Sequence, residues 1–132
     1  DRLDALRTAA VKCGTEIVVR AAGDYSRTSG RKAAAVFLKK GLPDAIFCAN
    51  DRMAFGLMEG LKAAGVRIPE DTGIIGFDNQ EISELSDPMI STIENPFYAI
   101  GERAAAKLIN MIRGQGESGE SLPSRFIQRH SV

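Results

Sequence analysis

AIFCANDRMAFGLMEGLKAAGVRIPEDTGIIGF, residues 45–77, is the stretch whose reading settles the fold class. Ala45-Ile46-Phe47-Cys48-Ala49 is a short apolar run of strand length, and residues 51–64 then carry Ala54, Leu57, Met58 and Leu61 at helical spacing. Gly65-Val66 closes that helix, and Gly73-Ile74-Ile75-Gly76-Phe77 is a second apolar run. Strands this continuously apolar, joined by an amphipathic crossover helix, predict parallel pairing, because the helix returns the chain to the same end of the sheet. The fold class that follows is α/β, a doubly wound parallel sheet.

The same alternation extends in both directions. Upstream, Leu3, Leu6, Ala9, Ala10 and Cys13 mark a helix over 3–13 that ends at Gly14, and Glu16 to Ala21 (EIVVRA) reads as a strand. Ser26 offers an N-cap for the next helix, whose stripe is Ala34, Phe37 and Leu38; Lys39-Lys40-Gly41-Leu42-Pro43 places cations, a cap glycine and a blocking proline at its end. Downstream, residues 90–94 read as extended, Asn95-Pro96 as a helix start with proline in the first helical position, 97–112 as a helix, and 124–128 as a last strand.

Lys plus Arg and Asp plus Glu balance at 17 each, so the chain lacks the positive field with which duplex-binding surfaces neutralise phosphates. No apolar run approaches the ~20 residues that span a bilayer, and no membrane contact is expected. Cys13 and Cys48 lie 35 positions apart without metal-ligand spacing, and the expectation is two reduced core thiols in a cytoplasmic protein. Gly114-Gln115-Gly116-Glu117-Ser118-Gly119 matches GxGxxG but follows a helix instead of a strand, so it reads as a connector and implies no dinucleotide. The single histidine, His130, sits near the end of the chain, and no Ser or Cys has an activating context. No cofactor, metal or catalytic role is expected.

Open parallel sheets bind ligands just beyond the carboxyl ends of their strands. Three polar or aromatic groups stand there: Tyr25 after Gly23-Asp24, Asn50 with Asp51, and Asp78 with Asn79. Each has a plainer role available, as helix cap or turn. Collected at one sheet end, they suit a small polar ligand with an apolar side, such as a sugar or nucleobase.

The run Pro43-Asp44-Ala45-Ile46-Phe47-Cys48-Ala49-Asn50-Asp51-Arg52-Met53-Ala54-Phe55-Gly56, with Gly65-Val66-Arg67-Ile68-Pro69-Glu70-Asp71 and Ile75-Gly76-Phe77-Asp78-Asn79, resembles the signature of LacI/GalR transcription regulators. The resemblance continues through Pro88, Ser91-Thr92-Ile93 and Gly101 to Arg129. It implies a periplasmic-binding-protein-like sensor of two α/β subdomains with a small-molecule effector between them. Residues 1–94 match its C-terminal subdomain, 95–113 a helix that packs on an N-terminal subdomain absent from this chain, and 114–132 a loop and strand returning to the sheet. Arg2 falls where the family carries a ligand-binding arginine, and Tyr25, Asn50 and Asp78 match its other effector contacts. Only Arg2 rests on resemblance alone.

Phe55, expected to face away from the sheet with Glu59 one turn later, would form with Ile82 and Leu85 the two-fold contact of a homodimer. Operator DNA would be bound by a headpiece that this chain lacks. A periplasmic sugar-binding protein of a transport system shares the fold and is the alternative, and a nucleotide-using enzyme would need a phosphate loop after a strand. The stripe Phe97, Ile100, Ala104, Leu108 and Ile112 needs an apolar partner, so this chain alone is expected to expose it. The absent subdomain also removes one wall of the cleft.

Overall fold

The computed structural model describes residues 2–116 and 118–132; Asp1 and Glu117, the latter within the glycine-rich connector, lie outside the described residues. The elements in chain order are α1 Arg2–Lys12, α2 Arg27–Lys40, β1 Ala45–Phe47, α3 Asp51–Ala63, β2 Gly73–Ile75, α4 Ile82–Leu85, β3 Thr92–Glu94, α5 Phe97–Ile112 and β4 Arg125–Ile127.

The expected β-α-β unit is present. β1 and β2 pair in parallel, with Ala45, Ile46 and Phe47 opposite Gly73, Ile74 and Ile75. On the other side of β2 a parallel bridge joins Ile75 to Ser91, and the Gly76 and Asp78 amides donate to the Ser91 and Ile93 carbonyls at 2.9 and 2.8 Å. β3 and β4 are antiparallel, so the final strand closes a mixed edge onto the parallel unit.

The core lies between this unit and the pair α2–α3. Ala54, Leu57, Met58 and Leu61 of α3 meet Ala33, Ala34 and Phe37 of α2 and Ile46, Cys48, Ile74 and Ile90, all buried. Full burial of each large apolar side chain contributes about 1.5–3 kcal/mol. The helices approach so closely that a Cβ on Gly56 would lie 1.9 Å from the Arg27 carbonyl oxygen, and one on Gly30 would lie 2.1 Å from that of Met53. Capping fixes the ends: Ser26 accepts from the Ser29 amide at 3.1 Å, and the Gly41 amide, at φ +106°, donates to Phe37 at 3.0 Å.

Five expectations are corrected. Residues 16–21 form no strand: they alternate half-buried with exposed, and Val19 and Ala21 pack on the core, but no ladder partner stands beside them among the described residues. A period of two supplies the pleat, and a strand also needs a neighbour. Leu38 is 45% exposed, because α2 turns Ala33, Ala34 and Phe37 inward instead. Cys13 is exposed at the end of α1, so only Cys48 is a core thiol, its pKa pushed up to about 12 chiefly by burial. Phe55 is half-buried against the core, and the Arg27 guanidinium lies 4.9 Å from its ring centre. α5 starts at Phe97 with Pro96 as its N-cap, since the Asn95 side chain is engaged elsewhere.

α5 has no buried residue, and Phe97, Ile100, Leu108 and Ile112 are all exposed. The uncovered stripe expected from the sequence is therefore present in this chain.

Candidate functional site

Asp78 follows β2 in a tight turn with φ +95°, and Asn79 has φ +48°. Left-handed backbone in two successive residues with side chains costs about 1–3 kcal/mol each unless its surroundings impose it, and such strain concentrates at functional sites. The turn aims the Asp78 carboxylate at two donors. The Arg2 guanidinium lies 3.4 Å away and Asn95 Nδ2 3.3 Å away, both directed at Asp78 Oδ1. Arg2 also donates to the Ala49 carbonyl at 2.6 Å and stacks over the Phe77 ring at 4.0 Å from its centre. The start of α1 is thus docked over the ends of β1 and β2, uniting Arg2 with Asp78.

The two partners differ in access. The Asp78 side chain is 17% exposed and that of Arg2 42%. A pair this open to solvent adds little to stability. Its groups are free to exchange one another for a ligand: Arg2 offers several donors in a plane, and Asp78 an acceptor pair.

Asn50 and Tyr25 form a second, adjoining group. Asn50 is buried and caps α3, accepting from the Met53 amide at 2.9 Å, while its Nδ2 donates to the Tyr25 carbonyl at 3.0 Å. The plainer role of Asn50 is therefore fulfilled, and through it the Tyr25 backbone, at φ +66°, is held in place. The Tyr25 ring is 61% exposed and offers an aromatic face. Asp24 beside it accepts from the Ser26 hydroxyl at 2.5 Å and from its amide, and its carboxyl is lowered to about 2, chiefly by the Ser26 hydroxyl.

Sequence reasoning named Asp51 and Asn79 at these strand ends but missed the partners that hold the site together, Thr92, Glu94 and Arg129. Buried Asp51 accepts from the Gln80 amide and the Thr92 hydroxyl, both at 2.6 Å. Desolvation raises its pKa, outweighing those hydrogen bonds. Asn79 donates to Glu94 at 2.9 Å and accepts from Arg129 at 2.8 Å. Glu94 is lowered, first by Asn79 and then by Arg125. Arg129 continues to the Ser83 hydroxyl, Ile90 carbonyl and Glu84 carboxylate. Asn95 accepts from the Ser124 hydroxyl at 2.8 Å, tying the last segment to the site. Asp51 was named together with Asn50 at the strand end, but its partners lie 29 and 41 positions away.

The other nominated surface is divided. Glu59 pairs bidentately with Arg27 at 2.7 and 2.5 Å, which holds it below the usual carboxylate range, and this pair covers Phe55. Leu85 is 71% exposed and Ile82 half-buried on α4. Among the described residues no group of His, Cys, Asp or Glu is arranged to hold a metal ion, and no helix is long and apolar enough to cross a membrane.

A periplasmic binding protein-like domain matches residues 1–132. The HTH-type transcriptional repressor CytR of Escherichia coli is 36% identical over 133 residues, covering 98% of this chain and 38% of that protein. The lac repressor bound to ONPG superposes with a TM-score of 0.93 at 28% identity, covering 99% of this chain and 40% of the other. A complex of the transcriptional regulator CelR with cellobiose superposes at 0.89 and 29% identity, with 99% and 42% covered. The chain spans well under half the length of the curated relatives it matches.

Proposed function

The chain belongs to the periplasmic binding protein-like domain family, and on that premise we propose that it is the C-terminal part of the effector-binding core of a LacI-type transcription regulator. The observation that carries this reading is the strained Asp78 turn, which presents a carboxylate to Arg2 at the carboxyl end of a parallel sheet whose relatives are transcription regulators. Arg2 and Asp78 form a polar clamp for a small polar effector of sugar or nucleobase type. Tyr25 supplies the stacking face, and Asn50 contributes at the adjoining strand end while fixing the Tyr25 backbone.

In the whole regulator, a cytoplasmic homodimer, a headpiece outside residues 1–132 binds operator DNA. The effector shifts the orientation of the sensor subdomains in proportion to its differential affinity for the two states. Leu85, Ile82 and the Phe55–Glu59 face contribute to the dimer contact, and α5 meets the N-terminal subdomain. No enzymatic step is assigned to the chain. The transport-receptor alternative is not favoured, since the relatives matched along the chain are transcriptional repressors and an operon regulator.

The test uses the full-length regulator with Arg2→Ala and Asp78→Asn, titrated calorimetrically with cellobiose, cytidine and adenosine. Each variant should bind about tenfold or more weakly than wild type, as expected for loss of a charge-assisted hydrogen bond, while operator affinity in the absence of effector is retained. Wild-type affinity in either variant removes that residue from the clamp.

A further inference from the structure

We infer that Asp51 and Thr92 are positioning residues for the effector clamp: a buried carboxylate–hydroxyl pair that forces the Asp78–Gln80 turn into its left-handed form without touching the ligand. The inference rests on the reading of Arg2 and Asp78 as the clamp and adds what determines their geometry.

Asp and Asn tolerate left-handed backbone better than other residues with side chains, but two in succession, at φ +95° for Asp78 and φ +48° for Asn79, are still held against a steric cost. Three contacts impose it from below. Asp51 Oδ2 accepts from the Gln80 amide at 2.6 Å, Asp51 Oδ1 accepts from the Thr92 hydroxyl at 2.6 Å, and Thr92 Oγ1 lies 3.3 Å from the Asn79 amide that donates to it. Both amides that follow Asp78 are thereby pinned to one buried pair. Asp51 and Thr92 have no exposed surface, so neither reaches a ligand directly.

The backbone has been shaped to admit this pair. The Asp51 amide donates to the Phe77 carbonyl at 3.0 Å, and a Cβ on Gly76 would lie 2.1 Å from Asp51 Oδ1. Glycine at 76 therefore leaves room for a carboxylate against the strand that ends in the clamp. Burying a carboxylate is costly, and this one is retained where its acceptor oxygens meet the donors of a strained turn. Arg129 secures the same turn from above through the Asn79 side-chain carbonyl at 2.8 Å. With the turn released, Asp78 relaxes to negative φ and its carboxylate leaves the position facing Arg2 and Asn95.

The experiment compares full-length regulators carrying Thr92→Val, which keeps the volume and removes the hydroxyl, Thr92→Ser, which keeps the hydroxyl, and Asp51→Asn. Far-ultraviolet circular dichroism and operator binding establish that each is folded. Amide exchange at Asn79 and Gln80 should be about tenfold faster in Thr92→Val, near wild type in Thr92→Ser, and several-fold faster at Gln80 in Asp51→Asn, where a neutral acceptor replaces a charged one. Affinity for the probe bound by wild type among cellobiose, cytidine and adenosine should fall in the same order. Unchanged exchange in Thr92→Val overturns the inference, as does faster exchange with unaltered affinity for a probe that wild type binds. Should Thr92→Val fail to fold, Asp51→Asn decides in the same way through Gln80. Arg2→Ala separates the two readings: it should weaken probe binding and leave both exchange rates untouched. Faster exchange in Thr92→Val beside wild-type binding by Arg2→Ala would sink the clamp and spare the turn.

Discussion

α3 and α5 carry the same kind of pattern and meet opposite fates. α3 buries Ala54, Leu57, Met58 and Leu61 against α2 and the sheet, whereas α5, with Phe97, Ile100, Leu108 and Ile112 at equivalent spacing, buries none of its residues. Periodicity specifies which face of a helix is apolar and says nothing of what covers it. α1 teaches the same lesson on a smaller scale, since Ala10 is its only residue described as buried. The β1–α3–β2 unit and α2 thus form a closed core, and α1 and α5 present faces still open to a partner.

Truncation of matched leucines probes this contrast most strongly. Leu61 is fully buried and Leu108 is 59% exposed. In the 132-residue chain, Leu61→Ala should cost about 2–5 kcal/mol, read from urea midpoints, because transfer and cavity terms add. Leu108→Ala should stay within about 0.5 kcal/mol. A comparable loss at both positions would mean that α5 is covered in solution, either by a second copy or by a rearrangement of this chain.

The glycines of the two helices give a finer contrast with opposite signs. Gly56→Ala drives a Cβ into the Arg27 carbonyl oxygen and should destabilise by about 1–3 kcal/mol as α2 and α3 are pushed apart. At Gly101 nothing lies within 4 Å of the added Cβ. Gly101→Ala should therefore stabilise the isolated chain by about 0.5–1 kcal/mol through helix propensity alone. Destabilisation at Gly101 in the full-length regulator, beside stabilisation in the isolated chain, would locate the surface that closes on α5.

The open and closed regions also differ in how far they were legible. The β-α-β unit could be read from residues 45–77 because local pattern and burial agree there, and the strand-end rule pointed to Asp78, which follows β2, whereas Tyr25 was named at the end of a strand that does not form. EIVVRA misled for a specific reason: Ile17, Val19 and Ala21 do turn half inward as a strand would, but ladder pairing depends on a neighbour the segment does not contain. The anchors of the Asp78 turn were hidden differently. Thr92 and Arg129 lie 14 and 51 positions beyond Asp78, in segments whose composition marks only an extended chain. Phe55 reads as a surface residue on a helical wheel, and only the placement of Arg27 across α2 reveals its cover.

The two thiols give the mildest probe, since they report on the same contrast without altering the sequence. Cys48 lies in the closed core, where burial first, and then the charge of Asp51, push its pKa up to about 12. At pH 8 Cys48 would stay almost wholly as the thiol even if reagent could reach it, and thiolate is the reactive form. Cys13 is exposed at the end of α1, so reagent has direct access. Iodoacetamide should modify one thiol per native chain, mapped by mass spectrometry to Cys13, and a second only as urea opens the core. Because Cys13 is exposed, its modification should leave the urea midpoint within about 0.5 kcal/mol of the unmodified chain. Protection of Cys13 in the isolated chain, lifted by dilution, would show that copies associate through the α1 end. Native modification of Cys48 would mean that the core opens far more often than its packing requires, and the distinction between the two regions would fail.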